Sequence, residues 1–234
     1  MLKKTKLVIA ASVAALVTAC GGGGGGGTPI IYPVSQAVQY AYSHGFQQTL
    51  GVTGTAVNGS TTYPVTGSLT FNIGAATPFT FNGTVGYQSL FSISGSLSVS
   101  GQTVPLTSSS IDYFDSAYNK IGSTSNGNYC VETTSMVYPK TATVGMTGNL
   151  GTSTCYTNSS KTSVVTVDNA TYTTAQGSNG NLNFKISENI YNGSNQLIGS
   201  GSTTYGVTPA GVPSLVQFVL TQTTNGVTIA ITAQ

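Results

Sequence analysis

The chain has no arginine and no tryptophan, one histidine, three cysteines and five acidic residues among 234. All seven cations are lysines, and Lys3, Lys4 and Lys6 stand in the first six positions. The rest carries four lysines against five acids, a formal charge of 4 − 5 = −1. Too few cations remain to neutralise a run of phosphates, which excludes nucleic acid as a partner. Electrostatic docking on an anionic bilayer is excluded on the same ground.

The missing groups also thin out the chemistries. His44 is the only imidazole, and no G-x-S-x-G elbow accompanies it. Its neighbour Ser43 should point away from it on a helix, so His44 reads as a surface or helix-end residue. Two cysteines and one distant histidine are too few for zinc, no C-x-x-C pair is present, and no calcium loop, P-loop or dinucleotide fingerprint occurs. No metal and no cofactor is expected. The acids are Asp112, Asp115, Glu132, Asp168 and Glu188. A glycosidase needs two carboxylates facing each other across a sugar. Asp112 and Asp115 have opposite strand parity, and Asp115 suits a turn that it bonds itself. Glu132 and Glu188 meet only if the tertiary fold brings them together. No catalytic residue is therefore assigned, and no binding residue can be.

What is present begins with the leader. Residues 1–20 read MLKKTKLVIAASVAALVTAC: a basic start, an apolar run from Leu7 to Val17, then small residues. This is the layout of an export signal, and the run is shorter than the ~20 residues of a membrane span. Val17-Thr18-Ala19-Cys20 resembles the lipobox of bacterial lipoproteins. The resemblance implies cleavage before Cys20 and its acylation, palmitate included. Gly21 in place of Asp implies sorting to the outer membrane of a Gram-negative cell. Seven glycines, Gly21 to Gly27, follow as a tether with an r.m.s. reach of roughly 15 Å. A poly-Gly stretch directly after the cysteine is also similar to proteobacterial lipoproteins. The expected organisation is a leader over 1–19, a lipidated cysteine and tether over 20–33, and one β domain over 34–234.

In an oxidising compartment, the remaining Cys130 and Cys155 can pair if their strands are neighbours. The linkage closes a loop of about 26 residues, worth ~3 kcal/mol in the chain-entropy account.

Val34–Gln48 has helical spacing, with Ser35 as a possible cap and Gly45 as the stop. Beyond it, apolar residues alternate with Ser, Thr or Asn, as in Leu69-Thr70-Phe71-Asn72-Ile73 and Leu182-Asn183-Phe184-Lys185-Ile186. Asn-Gly pairs at 58–59, 82–83, 126–127, 179–180, 192–193 and 225–226 signal hairpins. Gly54–Thr66 resembles Gly95–Thr107, and Gly67–Thr80 is a looser third copy. Phe114-Asp115 with Lys120-Ile121-Gly122-Ser123 recurs as Tyr191-Asn192 with Leu197-Ile198-Gly199-Ser200. The pattern predicts an all-β fold, an antiparallel hairpin-rich sandwich or an up-and-down barrel or half-barrel, with one short N-terminal helix. Strands this poor in lysine need closure, a disulfide or edge partnering to protect their edges.

The expected role is binding or structure in the cell envelope. The partners are the membrane, through the lipid, and an unidentified envelope protein or glycan. Tyr32, Tyr40, Tyr42, Tyr113, Tyr118, Tyr138, Tyr156, Tyr172 and Tyr205 are candidates for a cleft or for ordinary strand packing. The alternative is a carrier holding an apolar ligand in a cavity of about 300 Å³ or more; a glycan-active enzyme ranks below it.

Overall fold

The computed structural model describes residues 29–224 and 226–234. The leader, Cys20 and the glycine tether lie outside the described residues. One helix, α1 (Val34–His44), precedes thirteen strands. These are β1 (Phe46–Asn58), β2 (Thr61–Ile73), β3 (Thr77–Phe81), β4 (Thr84–Val99), β5 (Gln102–Asp115), β6 (Lys120–Ser125) and β7 (Asn128–Met136). There follow β8 (Thr147–Tyr156), β9 (Val164–Gln176), β10 (Leu182–Asn192), β11 (Leu197–Val207), β12 (Pro213–Thr224) and β13 (Val227–Ala233).

Neighbours in sequence pair antiparallel except β2 and β3; β1 also pairs with β13, and β2 pairs with β4. The sheet therefore closes into a barrel of twelve strands with β3 set aside, which decides between the barrel and sandwich expectations. Closure removes the edges that the lysine-poor strands leave unguarded. What remains is five-residue β3, which carries Pro78 and laps onto the outer face. There Phe81 stacks on Tyr113 (4.2 Å) and Tyr129 (5.3 Å) and fills the space over Gly122.

Alternation sorts the residues as expected. Along β1, Leu50, Val52 and Ala56 point inward and are buried, while Gln47, Thr49, Thr53 and Thr55 are exposed. The row Thr66, Ser68 and Thr70 on β2 and the row Ser94 and Ser96 on β4 continue this hydroxyl-rich exterior. A bilayer-spanning barrel reverses this order, with an apolar exterior and a polar interior.

The repeated hairpins form at β1–β2 and β4–β5. In each copy the leading glycine sits where the neighbouring strand passes closest. A Cβ at Gly54 would collide with the Ala230 carbonyl, and one at Gly95 with the Ser68 carbonyl. The second repeat builds one turn twice, at opposite ends of the barrel. Asp115 Oδ1 accepts from the N–H of Ala117 (2.8 Å) and Asn119 (2.9 Å); Asn192 Oδ1 accepts from Ser194 (3.0 Å) and Gln196 (3.0 Å). Asn82-Gly83 and Asn126-Gly127 form two-residue hairpin loops with the asparagines at φ +48° and +50°. At Asn58-Gly59 the loop is shifted by one, to Gly59-Ser60.

The helix ends at the expected Gly45, short of Gln48, and its start is not capped as expected. It stops at His44, because Gly45 has φ +77°, and Phe46-Gln47-Gln48 opens β1. Ser35 is not its cap: Pro33 holds that position, and the Ser35 N–H donates to the Pro139 carbonyl at 3.2 Å. Val34, Ala37 and Ala41 are buried, so α1 lies across the upper mouth of the barrel as a plug. That end also carries the β5–β6 turn and the β7–β8 and β11–β12 connections. The lower end carries the β1–β2, β4–β5, β6–β7, β8–β9, β10–β11 and β12–β13 turns.

Candidate functional site

Four of the chain's five acids face the barrel interior, and the single described cation among them is Lys120. The register sets them in a staircase. Asp112 on β5 lies level with Ser123, Cys130, Cys155 and Thr166 across five strands. The next row runs Glu132, Ser153, Asp168, Ile190. Glu188 lies between Ala170 and Gly201 in the row beyond. A register shift after Tyr113 places Lys120 opposite Phe114 and turns its stem inward. Its Nζ meets Asp112 Oδ1 at 2.9 Å.

Glu132 and Glu188 are thus brought together, as only the tertiary fold could do. Asp112 and Asp115 separate as their parity requires: Asp112 goes inside to Lys120, and Asp115 is consumed by its own turn.

One lysine cannot neutralise four carboxylates. Burial pushes Glu188 up to about 8; Lys120 opposes the shift, and Asp168, Glu132 and Asp112 add to it. Burial likewise raises Glu132 to about 7 against the pull of Lys120, with Asp112 and Asp168 adding. Asp168 rises to about 6 through burial, opposed by a hydrogen bond from Thr166 and by Lys120. On Lys120 burial works downward, but Asp112, Glu132 and Glu188 together outweigh it and hold the ammonium above the ordinary lysine range. Both oxygens of Glu132, Oδ1 of Asp168 and Oε1 of Gln222 are buried with no hydrogen-bond partner among the described residues. An unpaired buried carboxyl costs less when it keeps its proton than when it is charged.

Three tyrosines from different elements border the cluster: Tyr42 from α1, Tyr138 from the β7–β8 connection and Tyr205 from β11. Burial is the main cause that raises each hydroxyl, and the charges of Asp112 and Glu188 add to it, so all three stay protonated. Tyr42 packs on Phe114 at 4.3 Å. Under the helix, Ala41, Tyr42, Tyr138, Phe184, Ile186 and Tyr205 help line a chamber of about 40 Å³. A second gap, between Phe71, Phe91, Tyr205 and Phe218, measures about 20 Å³. Each takes a water molecule or so, far below the ~300 Å³ of a small-molecule pocket.

The other predicted residues fall elsewhere. Cys130 and Cys155 are register partners and form the disulfide, Cα atoms 3.9 Å apart. Cys155 Sγ lies 3.9 Å from Asp168 Oδ2, so the bridge forms part of the cluster's wall. His44 is exposed on the outer side of α1 and stacks on Tyr40 at 4.3 Å. It corrects one expectation: Ser43 and His44 do not point apart but share a hydrogen bond of 2.9 Å. At the helix end both turn toward the Tyr40 carbonyl. No carboxylate completes a triad there among the described residues. Of the remaining tyrosines, Tyr172 stacks on Phe184, Tyr113 lies under β3, and the Tyr32 hydroxyl donates to the Gly180 carbonyl; all three serve packing. Cys20 lies outside the described residues. No group of three or more His, Cys, Asp or Glu suited to a metal occurs among the described residues.

The cluster was not read from the sequence, although a signal existed. Glu188 shares its parity with Leu182, Phe184, Ile186 and Ile190, and Asp112 shares its own with Leu106 and Phe114. An acid inside an apolar row is an acid inside the barrel. Compared with known proteins, the chain matches no family model, no curated protein and no solved structure.

Proposed function

We propose that this is a lipid-anchored protein of the Gram-negative outer membrane that works by binding or structure and not by catalysis. The observation that carries the reading is the division of surfaces. The mouth is plugged by α1 and the chambers beneath it measure only about 40 and 20 Å³, while the outer rows are rich in Thr, Ser, Asn and Gln. A partner therefore meets the outside of the barrel, where hydroxyls and amides suit an envelope protein or a glycan and nothing favours nucleic acid. The buried ion cluster then belongs to the barrel's own interior, where Lys120 pairs with Asp112 and the other acids are kept by protons. Carriage of an apolar ligand would require α1 to leave the mouth and the chamber to grow several-fold.

The test uses the natively acylated protein. A photo-crosslinking residue at exposed Thr53 or Ser96 should capture an envelope protein or glycan, and one at exposed Gln39 on α1 should not. Strains carrying His44→Ala, Glu132→Gln or Glu188→Gln should retain the wild-type phenotype. A folded, anchored point variant that fails to complement a deletion would contradict this reading and turn it towards an enzyme with its active site at that residue.

A further inference from the structure

The described chain enters the barrel at its upper end, at Pro29, beside the plug. Tyr32 is bridged to Ala142 by two backbone hydrogen bonds of 2.9 Å, which ties the entering segment to the β7–β8 connection. Around this entry the apolar side chains face water. Ile30 is 55% exposed, Ile31 60%, Val144 48% and Val212 42%. The bridge sets Val144 beside the entering isoleucines, and Gly211 packs against Pro33 and Gln36, which places Val212 on the flank. Lys140 is exposed on the same connection.

The greatest distance from this patch to Cys20 is set by the sequence. Eight residues, seven of them glycine, separate Cys20 from Pro29. Such a tether has an r.m.s. reach of roughly 15 Å and a limit near 30 Å. The barrel is about as tall as that limit, since thirteen-residue strands tilted by ~40° rise ~30 Å. A lipid held at Cys20 therefore brings the upper end to the bilayer and leaves the lower turns a barrel's height away.

We propose that the plugged upper end of the barrel docks on the bilayer, with Ile30, Ile31, Val144 and Val212 seated in the headgroup boundary. The inference rests on acylation of Cys20. Apolar contact supplies the interaction, because a single lysine adds only about 1 kcal/mol on an anionic surface. Scattered aliphatics also occur at the lower end, Leu197 among them at 58% exposure, but bringing that end down stretches the tether to its limit, at about twice its r.m.s. reach. In this orientation α1 is held in the mouth from outside, and the hydroxyl-rich wall stands clear of the membrane for a partner.

The chain has no tryptophan, so one inserted indole reports alone. Acylated full-length Val144→Trp, Val212→Trp and Leu197→Trp variants, all at surface positions, are reconstituted into phosphatidylethanolamine–phosphatidylglycerol vesicles with brominated acyl chains. Side chains ~5–10 Å deep in the headgroup boundary are within reach of the quencher. Trp at 144 and 212 should lose about half or more of its emission, and Trp at 197 almost none. Flotation with the vesicles but without quenching at 144 and 212, or with equal quenching at 197, overturns the docking and leaves the anchor standing. Failure to float, with no acyl mass on Cys20, overturns both.

Discussion

The two sides of the barrel interior solve the same packing problem with different chemistry. On β1, β2, β4, β12 and β13, Leu50, Val52, Val65, Leu69, Phe71, Ile93, Leu220 and Ile231 meet in a core free of charge. From β5 to β10 the inward positions include Asp112, Lys120, Glu132, Asp168 and Glu188, with the disulfide in their wall. The apolar side is held by burial, which is indifferent to pH and tolerant of volume-conserving exchange. The charged side has apolar packing of its own, Leu150, Ala170, Leu182 and Phe184 among it, but its ion cluster is held by one counter-ion and by protons, so that part depends on pH and on a single residue.

The largest effect should come from Lys120→Met. Removing the counter-ion leaves buried acids unpaired, a loss of about 3–5 kcal/mol near pH 8 that shrinks toward pH 5 as the carboxyls take up protons. Urea denaturation at both pH values measures it. Phe71→Ala should cost a similar ~3–5 kcal/mol by cavity formation, with no difference between the two pH values. If the two variants showed the same pH response, the contrast between the sides would fail.

Loss of the disulfide comes next. Cys130→Ser with Cys155→Ser should cost ~3 kcal/mol through a freer unfolded chain, and peptide mapping without reductant should find the pair linked in the parent. The smallest effect belongs to His44→Ala. That side chain is exposed and stacks only on Tyr40, so the change should stay within ~0.5 kcal/mol, read as an unchanged urea midpoint.

Much of the fold was legible because its causes are local. Period-two alternation gave the strands, Asn82-Gly83 and Asn126-Gly127 gave their hairpins, and Gly45 gave the helix stop. Cys130 and Cys155 paired because their strands are neighbours in sequence. The closing contact of β1 with β13 was not legible, because no local signal says which strands from opposite ends of the meander will meet. Nor was the ion cluster. Its members lie on β5, β6, β7, β9 and β10, and their meeting is a product of strand stagger. Each acid's parity was visible, but the rows they share depend on the register shifts after Tyr113 and Asn149, which alternation alone does not reveal.

The pH dependence of unfolding tests the divided interior most directly. Between an ordinary carboxyl value and their raised ones, Glu132 (about 7), Glu188 (about 8) and Asp168 (about 6) bind more protons folded than unfolded. Stability must therefore be fullest at low pH and fall as pH rises through that window. The three titrate as one coupled system, and the expected loss between pH 5 and pH 8 is on the order of a few kcal/mol. Urea unfolding of the parent and of Glu188→Gln across this range is the measurement. The parent should lose stability steadily, and Glu188→Gln should flatten the slope and equal or exceed the parent at pH 8. A parent whose stability is constant or rises from pH 5 to pH 8 would contradict the account.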